Sequence, residues 1–183
     1  TGVIGEPTTA NRITEALPDL LANQSGWLDA AKAIMTTDTF PKGASATATI
    51  HGAKVTIAGF AKGSGMIEPN MATMLGFIFT DAAVPHDLLQ ALLADCTNRS
   101  FNAITVDSDT STSDTVLLAA TGKAGNATVS GIDDPALAGF RTALEDVMRD
   151  LAHQVVRDGE GASKFITVNV TGAISEKEAK ITA

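Results

Sequence analysis

The sequence predicts an α+β domain in which helices layer against a mixed or antiparallel sheet. Two kinds of segment point to it. Leu137, Phe140, Leu144, Val147, Met148 and Leu151 recur at helical spacing, as do Leu88, Leu89, Leu92, Leu93 and Cys96. Between such stretches lie short β-rich runs that do not alternate with them one for one. The 183 residues suit one domain with a real core rather than two. With aromatics at 4%, that core is built from Ala, Val, Ile, Leu and Met.

The first helix is expected over residues 7–22, with Ile13, Leu17, Leu20 and Leu21 on one face and Thr8 or Thr9 as N-cap. Pro18 predicts a break or kink within it. A second helix is expected over residues 26–35. Residues 46–50 and 54–58 flank His51-Gly52 and read as a hairpin. Residues 60–72 are Gly-rich and irregular. Residues 73–81 are mostly apolar and suit a buried strand. Pro85 opens a helix to about residue 98. Strands are expected over 102–106 and 115–120, with a short one within 125–131. A long helix follows over 134–156, and 164–170 closes as a strand.

Charge and composition exclude several functions. The formal net charge is −8 with no basic cluster, and aromatic stacking platforms are scarce, so nucleic acid is not an expected partner. No stretch reaches the ~20 apolar residues of a membrane span, and no signal peptide is visible. The single cysteine, Cys96, has no internal disulfide partner and falls in an apolar helical pattern, which reads as a buried small hydrophobe in a cytoplasmic protein. The chain opens at Thr1 within a turn-like motif and stops after a charged run at 176–180, and it reads as an internal piece of a longer protein.

Three loops are dense in small and polar residues: 61–73, 107–115 and 158–164. Loops on a rigid scaffold are the usual seat of binding and catalysis. Each also has a plainer reading. Gly63-Ser64-Gly65 lacks the spacing of a P-loop. The Asp/Ser/Thr run at 107–115 lacks the Gly and Glu of a calcium-binding hand and reads as a hydrogen-bonded turn. Asp158-Gly159-Glu160-Gly161 on composition alone is a turn before a strand. His51, His86 and His153 share no metal spacing, and no metal site is expected. No Gly-x-Ser-x-Gly elbow supports a Ser-His-Asp triad.

Taken together, five ordered segments resemble the ornithine acetyltransferase family, also called glutamate N-acetyltransferases. Thr1-Gly2-Val3-Ile4-Gly5 resembles its oxyanion turn. Ala33-Ile34-Met35-Thr36-Thr37-Asp38-Thr39 resembles its substrate loop. Ala61-Lys62-Gly63-Ser64-Gly65-Met66-Ile67, leading to Asn70-Met71-Ala72-Thr73-Met74-Leu75, resembles its self-cleavage segment. Ser100-Phe101-Asn102-Ala103-Ile104-Thr105-Val106-Asp107 and Asp158-Gly159-Glu160-Gly161 complete the set. Ser108, Ser113 and Ser163 depart from the family's usual Gly, Asn and Thr. The Ser108 departure is costly only where the backbone needs a positive φ.

The resemblance implies a layered fold like that of self-cleaving aminopeptidases and a cut between Ala72 and Thr73. Residues 1–72 would then end one chain and 73–183 begin the other, within one incomplete catalytic domain. Thr73 is the implied nucleophile, with its own freed α-amine as base. Thr1 and Gly2 are the implied oxyanion pair, and Thr36, Lys62 and Glu160, with Thr73, the implied substrate contacts. The implied reaction moves acetyl from N-acetyl-ornithine to glutamate in arginine biosynthesis, without a cofactor, and acetyl-coenzyme A is an alternative donor in bifunctional members. The two-chain unit is implied to pair into a heterotetramer. The family extends beyond both ends of this chain, and the parts outside it supply sheet strands and further substrate-lining residues. A related self-cleaving amidohydrolase or peptidase, or an inactive fragment, are the competing readings.

Overall fold

The computed structural model describes residues 5, 7, 9–23, 26–65, 74–108, 111 and 113–182. Among the described residues nine α-helices and β-strands follow one another: α1 (Ala10–Ala22), α2 (Trp27–Ala33), β1 (Lys42–Ile50), β2 (Ala53–Lys62), β3 (Leu75–Thr80), α3 (His86–Asn98), β4 (Thr115–Ala120), α4 (Ala138–Arg157) and α5 (Glu176–Thr182). The strands form one sheet in the order β1-β2-β3-β4. The first three are antiparallel and β4 runs parallel to β3, so the sheet is mixed, as expected.

The hairpin is tighter and longer than its sequence suggests. His51 (φ 48°) and Gly52 (φ 83°) form the two-residue turn, and both need the left-handed region that a primed turn requires. The strands then pair from Ile50–Ala53 to Lys42–Ala61. Their outer ends escape the sequence pattern because β1 alternates small residues, Ala44, Ala46 and Ala48 inward against Ser45, Thr47 and Thr49 outward.

Helix α4 lies across β1 and β2 and supplies much of the core. Phe140, Leu144, Val147, Met148 and Leu151 are buried on its inner face against Val55, Ile57 and Ile78 of the sheet. Helix α3 adds Leu89, Leu92 and Cys96. Burial pushes the Cys96 thiol up to about 11, which fits a packing role rather than a nucleophile. The sheet's opposite face carries Phe60, Phe77 and Phe79, and Trp27 of α2 meets Phe60 and Phe79 edge-on at 6.0 and 5.5 Å.

Gly59 of β2 sits under Leu151 of α4, where helix and sheet pack closely. A Cβ there would lie 2.9 Å from the Phe77 carbonyl oxygen and 3.2 Å from Leu151 Cδ1. Gly59→Ala is therefore expected to cost about 1–3 kcal/mol, read as a lower urea midpoint with an unchanged slope. A midpoint equal to wild type would refute the close packing of α4 on β2.

Several expected elements are revised. Helix α1 runs through Pro18 without a break, carries no buried residue, and has Thr9 at the N-cap position without a side-chain cap bond; Thr8 lies outside the described residues. Residues 102–106 are no strand. Phe101–Ala103 forms a single 3-10 turn, because Ser100 Oγ donates to the Cys96 carbonyl and Asn102 donates to the Asn98 side chain. Such local bonds compete with ladder formation. Residues 125–131 stay irregular, since Asn126 clamps Ala83 through both its amide and carbonyl groups. Residues 164–170 form no ladder among the described residues. Phe165 instead packs under Arg157 and against His153. None of the helices among the described residues is long and apolar enough to cross a membrane.

Candidate active site

The end of β2 and the start of β3 place the site. Lys62 pairs with Leu75, so the chain leaves and re-enters the sheet at neighbouring positions. A cleft of about 340 Å³ opens there, walled among others by Gly63, Gly65, Met74, Phe101, Ile104 and Asp114. That volume suits a small molecule. Gly65 and Met74, the nearest described residues on either side of 66–73, both line it.

The 107–115 loop pins Met74. Asp114 Oδ1 accepts the Met74 N–H at 2.9 Å, and the Met74 carbonyl accepts from the Thr115 N–H at 3.0 Å. The described residues around it carry local bonds of the kind the sequence suggests: Ser108 N–H donates to Thr105 Oγ1 at 3.0 Å and Ser113 N–H to Ser111 Oγ at 3.1 Å. Ser108 has φ 71°, the left-handed value that glycine tolerates better. Among the described residues no group of His, Cys, Asp and Glu could hold a metal ion.

Behind the cleft lies a buried charge cluster. Lys42, the first residue of β1, is fully buried, and its Nζ sits 2.6 Å from both Asp38 Oδ1 and Asp158 Oδ2. Asp38 also accepts the N–H groups of Gly63 (2.7 Å) and Thr36 (3.2 Å). Asp158 accepts the Thr39 N–H at 3.0 Å and the Thr39 hydroxyl. Burial opposes ionisation of both carboxyls. The Lys42 ammonium and these other donors outweigh it and hold both below their ordinary value.

Two further bonds tie the surrounding loops together. The Thr37 and Ser64 hydroxyls meet at 2.5 Å, and the Glu160 N–H donates to the Ser64 carbonyl at 2.6 Å. Gly159 permits the close turn beside Glu160, since a Cβ there would lie 3.0 Å from Val106 Cγ1 and 3.0 Å from the Val156 carbonyl oxygen.

Three of the expected site residues are described, and these bonds bring their segments together. Thr36 is exposed beside the Asp38 carboxylate that also holds Gly63. Lys62 is only 6% exposed, and among the described residues its side chain has no hydrogen bond or ion pair. Burial pulls its ammonium below the ordinary value, against the attraction of Asp38 and Asp114. Glu160 is exposed next to Ser64. Thr1, Gly2, Ala72 and Thr73 lie outside the described residues. Sequence reasoning assigned no role to Asp38, Lys42, Ser64, Asp114 or Asp158. A lysine opening a strand of small residues was the one available signal, since burial of its charge requires acidic partners.

This mixed sheet backed by α4, with its loop-built cleft, belongs to a known family. The family model described as the ArgJ family matches residues 1–183, and the chain belongs to that family. It is 60% identical over 183 residues to the "Arginine biosynthesis bifunctional protein ArgJ" of Ruegeria pomeroyi, covering 99% of this chain and 43% of that protein. The protein of the same name from Gluconobacter oxydans is 55% identical over 181 residues, covering 98% of this chain and 43% of its own length. The crystal structure of the arginine biosynthesis bifunctional protein from Bacillus halodurans superposes with a TM-score of 0.58 at 50% identity, over 61% of this chain and 52% of that one. The chain thus spans less than half the length of the curated relatives it matches.

Proposed function

We propose that this chain carries the nucleophile and much of the substrate site of an acetyltransferase that moves acetyl from N-acetyl-ornithine to glutamate. The observation that supports it is the cleft flanked by Gly65 and Met74, the residues that bracket the segment holding Ala72-Thr73. Membership of the ArgJ family supports the reaction class.

The polypeptide cuts between Ala72 and Thr73, leaving residues 1–72 at the end of one chain and 73–183 at the start of the next. The freed α-amine of Thr73, with a reference pKa of about 8, takes the proton of its own hydroxyl. Thr73 Oγ attacks the acetyl carbonyl, and Thr1 and Gly2 stabilise the oxyanion. The C–N bond then breaks, and ornithine leaves with that proton, giving an acetyl-threonine ester. The amine of glutamate attacks the ester, and N-acetylglutamate leaves as the Thr73 hydroxyl re-forms. Lys62 and Thr36 bind the carboxylate side of each amino acid. Glu160 meets its ammonium side. No cofactor enters this scheme. The two-chain unit pairs into a heterotetramer in the cytoplasm.

The test uses the full-length protein with N-acetyl-ornithine, with and without glutamate. Formation of N-acetylglutamate, with ornithine release dependent on glutamate, is the expected result. Ornithine release that ignores glutamate would make the protein an amidohydrolase, and no release at all would refute the activity. Acetyl-coenzyme A in place of N-acetyl-ornithine tests a second donor in the same assay.

A further inference from the structure

The buried cluster of Asp38, Lys42 and Asp158 lies outside the cleft lining and meets it at Gly63, whose N–H Asp38 accepts, and its bonds tie together the segments that carry the proposed substrate contacts. Asp38 holds the N–H of Thr36 and that of Gly63, the residue after Lys62. Asp158 precedes the Gly159-Glu160 turn and holds Thr39, at the end of the Thr36 loop. Lys42 joins the two carboxylates through one nitrogen. Ser64 completes the circuit, with its hydroxyl on Thr37 and its carbonyl on the N–H of Glu160.

We propose that Asp38, Lys42 and Asp158 are positioning residues that fix the Thr36, Lys62 and Glu160 segments at one separation, matched to an amino-acid substrate bound by its carboxylate and ammonium ends. The inference rests on the acetyltransferase reading above. Physically, three loops with few apolar anchors would each sample several conformations. Substrate binding would then bear the cost of ordering them. A charged network buried away from water removes that freedom beforehand, because its members have no alternative partners inside the protein.

The geometry separates the proposal from a purely structural role. Loss of folded protein lowers apparent kcat and leaves KM alone. Loosening a preorganised binding site raises KM. Thr39→Val is the mild variant, since Thr39 is exposed and the change removes one hydroxyl bond to Asp158 while sparing both ion pairs. Asp158→Asn is the stronger one and keeps an oxygen to accept from Thr39.

Both are measured in the full-length protein by steady-state acetyl transfer. KM for N-acetyl-ornithine and KM for glutamate are expected to rise together, severalfold in Thr39→Val and about tenfold or more in Asp158→Asn, and proportionally more than kcat falls. Wild-type KM values in Thr39→Val with lower kcat alone would overturn the positioning role and leave the acetyltransferase reading intact. The same holds if only one of the two KM values moves. A wild type that transfers no acetyl overturns the reading and this proposal together. Should Asp158→Asn fail to fold, Thr39→Val alone decides.

Discussion

Full-length protein carrying Thr73→Ala is expected to remain one uncut polypeptide and to lose acetyl transfer by about 10⁴-fold or more. Mass spectrometry of the wild type should instead give two pieces divided at the Ala72–Thr73 boundary. Both losses trace to one atom. In the proposed mechanism Oγ of Thr73 attacks the preceding carbonyl during self-cleavage, and later the acetyl carbonyl of the substrate. Inside an intact peptide the residue has no α-amine, and no histidine is expected to replace it as base. His51 sits at the hairpin tip near Asp134, His86 is solvent-exposed beside Asp87, and His153 packs on Phe165. Thr73→Ser separates the two steps, since it keeps the hydroxyl and the future amine. It should still cut, more slowly, and retain measurable transfer. A Thr73→Ala protein that arrives in two pieces, or that transfers acetyl near the wild-type rate, would remove Thr73 from both roles.

The elements that the sequence reveals are those whose order is local. Helix α4 is legible because twenty residues hold one apolar stripe, and the hairpin because His51-Gly52 accommodates a turn that few other pairs can. Failures arise where the partner decides. Residues 164–170 have strand composition, but a strand exists only if another backbone pairs with it. Residues 101–103 are turned by Ser100 and Asn102, whose side chains satisfy the backbone locally. The site divides in the same way. Thr36, Lys62 and Glu160 enter as expected site residues through resemblance to a family. The contact of Lys42 with Asp158 spans 116 residues, and no spacing rule reaches that far. Asp158 lies inside the Asp158-Gly159-Glu160-Gly161 run, and its carboxylate holds Thr39 and Lys42.

Lys42→Met is the substitution expected to cost most in stability, about 3–5 kcal/mol at neutral pH in the full-length protein, read as a fall in the urea midpoint. The methionine fills most of the volume, so little of the loss comes from a cavity. It comes from leaving two carboxylates buried around one vacated point, each having been 2.6 Å from the same ammonium. The pH dependence identifies this cause. In the wild type both Asp38 and Asp158 have folded pKa values below the ordinary 3.8. Their contribution is therefore present above that value and is lost only as pH falls below it. Without the cation, burial and mutual repulsion raise one carboxyl instead, so the folded protein binds a proton that the unfolded chain releases. The resulting penalty is absent below the unfolded value and grows as pH rises towards the raised one. The gap between Lys42→Met and wild type should thus narrow steadily from pH 8 to pH 5. A gap that stays constant over that range would mean that the charge of Lys42 is not what holds the cluster together.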